Sequence, residues 1–206
     1  MPTRGYGKKL EEKINNKVLV ASLQRCGTQS TTKFLERLVG KSVQFSPRAE
    51  TAYFINKDLG YFSRHLDNYS KEFAVFSNAP YFSLYEDLIS KYPDMKVVLI
   101  TRREEDWLKS FKALIKKLGI DSLSMLALAR YVPDIREKYK SNNISEEDLI
   151  FIFRQHNNSV KSFFQDSANF LHAELEDRSV GEKIQSFLGT EKNIAFPRID
   201  NAGLYG

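Results

Sequence analysis

The segment from Arg25 to Ser30 brings together groups that bind oxyanions, in the order Arg-Cys-Gly-Thr-Gln-Ser. Gly27 lets the backbone approach a phosphate closely. Thr28, Gln29 and Ser30 add side-chain donors, and Arg25 adds a permanent planar cation. An apolar run precedes the segment and a helical period follows it, so the N–H groups of a helix N-terminus are expected at the same place. These features predict a site for a phosphate-like group.

The same segment departs from the loop of nucleoside triphosphatases, which has two glycines separated by four residues and then Lys-Ser or Lys-Thr. Gly27 is its single glycine, and no lysine follows it directly. An ordinary strand-to-helix turn capped by Thr28 is therefore an alternative interpretation. Cys26, the single cysteine of the chain, is expected to serve as a small spacer before Gly27.

A second cation follows another apolar run. Arg102 comes directly after the run at residues 96–101, and Ser110 lies eight residues later on the next predicted helix. A guanidinium and a hydroxyl in this arrangement can hold a second phosphate. Taken alone, the pair is better interpreted as a surface arginine and an ordinary helical serine. Two cationic strand ends in one sheet favour a ligand with two separated anionic groups.

The elements that must position these residues are short apolar runs alternating with segments of helical period. Strands are predicted at residues 18–23, 42–45, 73–76, 96–101 and 170–175. Helices are predicted at residues 28–39, 81–91, 107–118, 123–139, 146–166 and 180–188, with an irregular, aromatic-rich region from Phe45 to Tyr85. The alternation predicts an α/β fold of three layers, with a mainly parallel central sheet of about five strands flanked by helices. Residues 1–206 are expected to form a single domain, with residues 1–16 as a polar N-terminal extension.

Composition excludes several classes of protein. The chain has 206 residues, and 31 Lys+Arg against 26 Asp+Glu give a net charge of +5. One cysteine excludes an internal disulfide framework and any zinc site built on several cysteines. No run approaches the roughly 20 apolar residues of a membrane-spanning helix, and the N-terminus lacks an apolar signal segment, so a soluble, cytoplasmic protein is expected. The modest, dispersed charge favours a small polyanionic ligand over nucleic acid.

Several motifs resemble those of sulfotransferases that use 3′-phosphoadenosine 5′-phosphosulfate (PAPS). RCGTQST resembles the family's loop for the 5′-phosphosulfate, and TRREEDWLKSF resembles its 3′-phosphate motif. SNAPYF lies between these two motifs, and HNNSVKSFF, NFLHAELED, EKIQSFLG and FPRIDN come after them, in the family's order. The resemblance covers about residues 17–201, and it implies the P-loop-NTPase-like sulfotransferase fold.

The resemblance also implies a role for each matching residue. The loop Arg25–Ser30, which includes Cys26 and Gln29, would hold the 5′-phosphosulfate, and Arg102 with Ser110 would hold the 3′-phosphate. Arg25 would also stabilise the leaving phosphate oxygen electrostatically, because its side chain titrates too high to donate a proton readily. PAPS would be the donor and 3′-phosphoadenosine 5′-phosphate (PAP) the product, with no metal required. The three histidines, His65, His156 and His172, are far apart in sequence and suggest no metal site.

The motifs offer more than one candidate for the general base. Some relatives have a histidine shortly before a proline, where this chain has Asn78 two residues before Pro80. An amide cannot act as a base, so Asn78 is expected to orient the acceptor or a sulfate oxygen. Relatives that modify sugars use a glutamate after the second strand, which makes Glu50, in AETAYF, the candidate base and His65 the reserve. A solvated loop glutamate and a structural histidine are the alternatives.

Two other side chains are given structural roles. Trp107 lies on the apolar stripe of its predicted helix, so core packing is favoured over contact with adenine. His156 is expected on the surface or on a half-buried face of its helix.

The motifs together predict transfer of a sulfuryl group from PAPS to a hydroxyl or amine of a small-molecule or glycan acceptor. A small-molecule phosphotransferase and a non-catalytic nucleotide-binding protein that kept the phosphate clamps are left open. A nucleic-acid-binding module has only the net charge in its favour. A homo-oligomer in which a second subunit completes the site is also left open.

Overall fold

A parallel five-stranded sheet forms the centre of the protein. The computed structural model describes residues 17–44, 53, 56–118, 127–141, 143–192 and 194–199. The strands are β1 (Val18–Val20), β2 (Ser42–Val43), β3 (Val75–Phe76), β4 (Lys96–Thr101) and β5 (Phe170–Glu174). Their order is β2-β3-β1-β4-β5, and every neighbouring pair is parallel. The predicted parallel sheet is confirmed.

Helices enclose the sheet on both faces. They are α1 (Thr28–Leu38), α2 (Leu59–Glu72), α3 (Tyr85–Lys91), α4 (Glu104–Leu118), α5 (Ile135–Lys140), α6 (Glu146–Phe163) and α7 (Val180–Leu188), with a 3₁₀ turn at Tyr81–Ser83. None of the helices in the described ranges is long and apolar enough to cross a membrane.

The alternation of side chains along β1 explains the three layers. Val18 and Val20 pack with residues of α1 and α7 on one face, whereas Leu19 and Ala21 pack with residues of α2, α3 and α6 on the other. Successive strand residues point to opposite faces, and here both faces are apolar because both are covered. The predicted three-layer α/β architecture is confirmed.

The topology brings the ends of the central strands together. β1 lies between β3 and β4, with Val18 paired to Val75 on one side and to Lys96 on the other. Because these strands are parallel, the segments after them leave the sheet at the same edge. Those segments contain Arg25, Asn78 and Arg102.

Helix α2 corrects the prediction of an irregular region between Phe45 and Tyr85. The Asp58 side chain caps the helix by accepting a hydrogen bond from the Tyr61 N–H at 2.8 Å. Phe62 and Leu66 lie on its buried face. The helical spacing was present in the sequence, but polar residues and tyrosines between the apolar positions obscured it.

Other boundaries differ modestly from the predictions. β1 ends three residues early, at Val20, because the chain turns out of the sheet to form the loop before α1. The helix predicted from residue 81 starts as a 3₁₀ turn before α3. α5 begins after Pro133, where a break or restart was expected. Residues 1–16 and 119–126 lie outside the described residues.

Candidate functional site

The loop between β1 and α1 has an unusual backbone. Arg25 and Gly27 both have φ of +72°, in the left-handed region, which few residues other than glycine adopt. The Cys26 N–H donates to the Leu23 carbonyl at 3.2 Å and closes the turn. The first helical bond of α1 runs from the Thr31 N–H to the Gly27 carbonyl. The N–H groups before Thr31 therefore precede the helical ladder, at the positive end of the helix dipole.

Gly27 is required by space as well as by conformation. A Cβ atom at this position would lie 2.5 Å from Cδ1 of Leu175, the residue that follows β5. The loop backbone thus lies close to the Leu175 side chain, which would have to shift to admit a Cβ.

The two anion-binding elements predicted separately from the sequence are in direct contact. The Arg25 Nε donates to the Ser110 Oγ at 2.7 Å, and the Arg102 Nη1 donates to the Arg25 carbonyl at 3.3 Å. The Arg102 Nε lies 3.9 Å from the Glu176 Oε1, beyond hydrogen-bond distance. Two guanidinium groups, one hydroxyl and one helix N-terminus thus form a single cationic site.

The segment after β3 forms another wall of this site. Asn78 is half-buried with φ of +59°, and its carbonyl accepts from the Phe82 N–H at 3.1 Å. Ala79, the next residue, lies in the same buried cluster as Leu23 and Cys26. The structure therefore brings the Asn78 segment against the β1–α1 loop, as the topology of the strand ends requires.

A family model described as a sulfotransferase domain matches residues 17–204. The chain belongs to the sulfotransferase family. Among solved structures, it is similar to a sulfotransferase from Alicyclobacillus acidocaldarius, with a TM-score of 0.54 and 15% sequence identity over 90% of this chain and 87% of that one. At this identity the likeness shows a shared fold. The comparison with curated proteins finds no match.

In this sulfotransferase, Trp107 packs in the core and hydrogen-bonds the backbone of the β1–α1 loop. Trp107 is fully buried, with its ring 4.7 Å from that of Phe111 and 4.6 Å from that of Phe153. Its Nε1 donates to the Gln24 carbonyl at 2.9 Å. The prediction that Trp107 packs in the core is confirmed, and the indole also holds the backbone next to Arg25.

Two further residues of the sulfotransferase loop have roles within the fold. Burial raises the pKa of the Cys26 thiol far above its ordinary value, so the side chain is a small packing residue and not a nucleophile at neutral pH. The Ser30 Oγ accepts from the Ile199 N–H at 3.0 Å, which ties the C-terminal segment to α1. Its own hydroxyl proton can still be donated.

Of the two candidate bases, Glu50 and His65, the structure describes only His65. Glu50 lies outside the described residues. His65 lies on α2, where its Nε2 is 2.9 Å from the Tyr81 hydroxyl and its ring is 4.1 Å from that of Tyr69. Burial lowers its pKa. These contacts place the His65 side chain on the buried face of α2, among aromatic rings.

His156 is a buried neighbour of the β1–α1 loop that the sequence interpretation missed. It was expected on a surface or half-buried face, and this is wrong, because its side chain is fully buried. The Nε2 is 2.6 Å from the Ala21 carbonyl and the Nδ1 is 2.7 Å from the Tyr131 hydroxyl. A carbonyl only accepts, so Nε2 carries the proton and Tyr131 donates to Nδ1. The buried stripe Leu149, Phe153, His156 and Val160 has helical spacing that could have revealed it.

A polar cleft of about 720 Å³ adjoins the 3₁₀ turn that follows Asn78. Its lining includes Ser83, Asp87 and Arg130. The Tyr53 hydroxyl donates to the Asp87 Oδ2 at 2.8 Å, and Arg130 donates to the Ser83 carbonyl. Across the described residues, no group of three or more His, Cys, Asp or Glu side chains could hold a metal ion.

Proposed function

We propose that this sulfotransferase moves the sulfuryl group of PAPS to a hydroxyl or amine of a small-molecule or glycan acceptor. The contact of Arg25 with both Ser110 and Arg102 carries the proposal. PAPS carries anionic groups at the 5′ and 3′ positions of one ribose, and both need cationic or hydrogen-bonding partners. A site in which two strand ends supply such partners side by side suits this ligand.

The loop fits the phosphosulfate by its shape and by its donors. Gly27 removes the Cβ that would fill the space beside Leu175, and the first turn of α1 offers backbone N–H groups to an oxyanion. Arg25, Thr28, Gln29 and Ser30 would hold the 5′-phosphosulfate in this arrangement. Arg102 and Ser110 would hold the 3′-phosphate.

In the proposed transfer, the acceptor oxygen or nitrogen forms a bond to the sulfur of the donor. The bond between this sulfur and the bridging oxygen breaks at the same time, and its electron pair stays on the 5′-phosphate. Arg25 would neutralise the charge that develops on that phosphate oxygen. It acts by electrostatic stabilisation, because a guanidinium stays charged at working pH.

The acceptor proton requires a base, and Glu50 remains our proposal for it. The hydrogen bond of His65 to Tyr81 and its position among buried rings favour a structural role for that histidine. Asn78 would orient the acceptor or a sulfuryl oxygen through its amide. The polar cleft beside Ser83 is the proposed place for the acceptor, since the turn that carries Ser83 follows Asn78 directly in the chain.

Thermal unfolding with nucleotides tests the donor assignment. PAP at about 100 times its Kd should stabilise the protein by about 2.7 kcal/mol, seen as a higher melting temperature, while ATP with magnesium should have a smaller effect. Arg102→Ala should weaken the response to PAP. Arg103→Ala is the matched control, because Arg103 is exposed and pairs with Asp106 of its own helix. A protein that responds to ATP with magnesium but not to PAP would contradict the proposal.

Glu50→Gln tests the base separately. The amide keeps the size of the side chain but cannot take a proton. We expect unchanged PAP binding and a loss of turnover with radiolabelled PAPS and a panel of phenol, sugar and amine acceptors. Undiminished turnover would reject Glu50 and return attention to His65.

A further inference from the structure

An acidic side chain lies against the cationic site. Glu176 follows β5 by two residues, and its Oε1 is 3.9 Å from the Arg102 Nε. The ladder between β4 and β5 brings it there, since Thr101 pairs with Glu174 and the Leu175 N–H donates to the Thr101 carbonyl at 2.8 Å. A carboxylate beside an arginine that is proposed to hold a phosphate repels the charge of the ligand. Its place in an anion site therefore needs an explanation.

Arg102 does not depend on Glu176 for its position. The Arg102 Nη1 donates to the Arg25 carbonyl at 3.3 Å, whereas 3.9 Å to the carboxylate exceeds hydrogen-bond distance. The Arg102 Nε is buried and has no hydrogen-bond partner, so Glu176 contributes a charge and not a directed bond. A neutral side chain in place of Glu176 would leave the guanidinium held by the loop.

Both side chains are partly exposed, so a ligand at the site can interact with them. The exposed fraction is 29% for Arg102 and 33% for Glu176. Their charges also act on the β1–α1 loop. Burial has the largest effect on the pKa of the Cys26 thiol and raises it, the charge of Arg102 lowers it, and the charge of Glu176 raises it. Glu176 thus opposes Arg102 within the loop that is proposed to bind the nucleotide.

We propose that Glu176 is an affinity-setting residue of the nucleotide site, whose carboxylate repels the 3′-phosphate held by Arg102. The inference rests on the proposed function. Arg25, Arg102 and the N-terminus of α1 all attract the anionic groups of the donor. The product PAP keeps the 3′-phosphate after the sulfuryl group has gone. Glu176 weakens the binding of that phosphate, which favours release of PAP after transfer.

The position of the phosphate on the ligand distinguishes this role from a general effect of charge. Coulomb energy falls with distance, and water and salt screen it further. PAP carries phosphates at the 3′ and 5′ positions, whereas adenosine 5′-phosphate lacks the group assigned to Arg102. A carboxylate that acts on the 3′-phosphate should therefore affect PAP much more than adenosine 5′-phosphate.

Glu176→Gln removes the charge and keeps the size of the side chain. In calorimetric titrations of the full chain at low ionic strength, we expect the variant to bind PAP about tenfold more tightly than wild type. Its Kd for adenosine 5′-phosphate should stay within about twofold of the wild-type value. Its melting temperature without ligand should stay close to that of wild type, because a partly exposed ion pair contributes little to stability.

Asp177→Asn is the matched control, because it removes the same charge from the next residue. The Asp177 Oδ1 accepts from the Ser179 N–H at 2.8 Å, and its Oδ2 accepts from the Lys183 Nζ at 2.6 Å. This carboxylate is thus balanced by a cation within the fold. The Kd of this variant for PAP should stay within about twofold of the wild-type value.

Each outcome bears on the proposal. Tighter binding of PAP by Glu176→Gln, with little change for adenosine 5′-phosphate, supports it. Unchanged or weaker binding of PAP overturns it and leaves the proposed function intact. Equal tightening for both nucleotides, or the same tightening in Asp177→Asn, also overturns it, because the effect would then not be specific to the 3′-phosphate. Wild-type protein that does not bind PAP refutes the proposed function itself, and this inference with it.

Discussion

Acidification is expected to destabilise this sulfotransferase through His156. The imidazole is fully buried between the Ala21 carbonyl and the Tyr131 hydroxyl. Burial lowers its pKa to about 4, with the charge of Arg130 contributing in the same direction. A protonated ring would have to give up the hydrogen bond that Tyr131 donates to Nδ1.

The sign and size follow from proton linkage. In the unfolded chain the ring titrates near 6.5, so between about pH 6.5 and 4 the unfolded state binds more protons than the folded state. The free energy of unfolding therefore falls as the pH falls through this window. The histidine contributes a loss of about 2 kcal/mol at pH 5 and about 3 kcal/mol at pH 4 relative to neutral pH.

Urea denaturation at pH 7, 5 and 4 measures the effect, with His156→Gln as the reference. Glutamine can donate to the Ala21 carbonyl and accept from Tyr131, but it does not titrate. The burial-lowered pKa values of His65 and His172 act in both proteins and cancel in the difference. The stability advantage of wild type over His156→Gln should shrink by about 3 kcal/mol between pH 7 and pH 4. A constant difference would refute the argument.

Two further predictions concern the loop and its partner. Gly27→Ala should cost about 1–2 kcal/mol for the left-handed backbone and about 1–3 kcal/mol more for the contact with Leu175, as measured by urea denaturation. Gly189→Ala is the control, since Gly189 has a φ of +65° with open space around it, and equal losses would argue against the Leu175 contact. Ser110→Ala removes the acceptor of the Arg25 Nε and should weaken PAP binding by about tenfold in calorimetry; unchanged affinity would remove Ser110 from the nucleotide site.

The three layers could be predicted because the apolar sequences of β1 and β4 indicate strands that are covered on both faces. Runs such as Val18–Val20 are apolar at every position, which in a strand means burial on both faces. Helix α2 was not predictable to the same degree. Its buried face includes His65, a residue that a search for apolar periodicity does not count, although the ring packs on Tyr69 like any core aromatic.

The residue types of the anion site were predictable, and its internal geometry was not. The resemblance to sulfotransferases assigned Arg25 and Ser110 to different ends of a nucleotide, yet the side chains are hydrogen-bonded. Their distance depends on how far the β1–α1 turn projects and on where α4 starts after Arg102. Neither quantity is encoded in local periodicity, because both depend on packing between elements.

The backbone after β1 explains why residues so distant in sequence matter to the site. Once the chain leaves the sheet, its carbonyls lose their ladder partners and need other donors. Side chains supply them: His156 binds the carbonyl of Ala21, Trp107 that of Gln24 and Arg102 that of Arg25, from 135, 83 and 77 residues away along the chain. The carbonyls are thereby engaged within the fold, and the N–H groups at the start of α1 remain the part of the loop available to an anion. A loop held in this way before the nucleotide arrives does not have to be ordered at the expense of binding free energy.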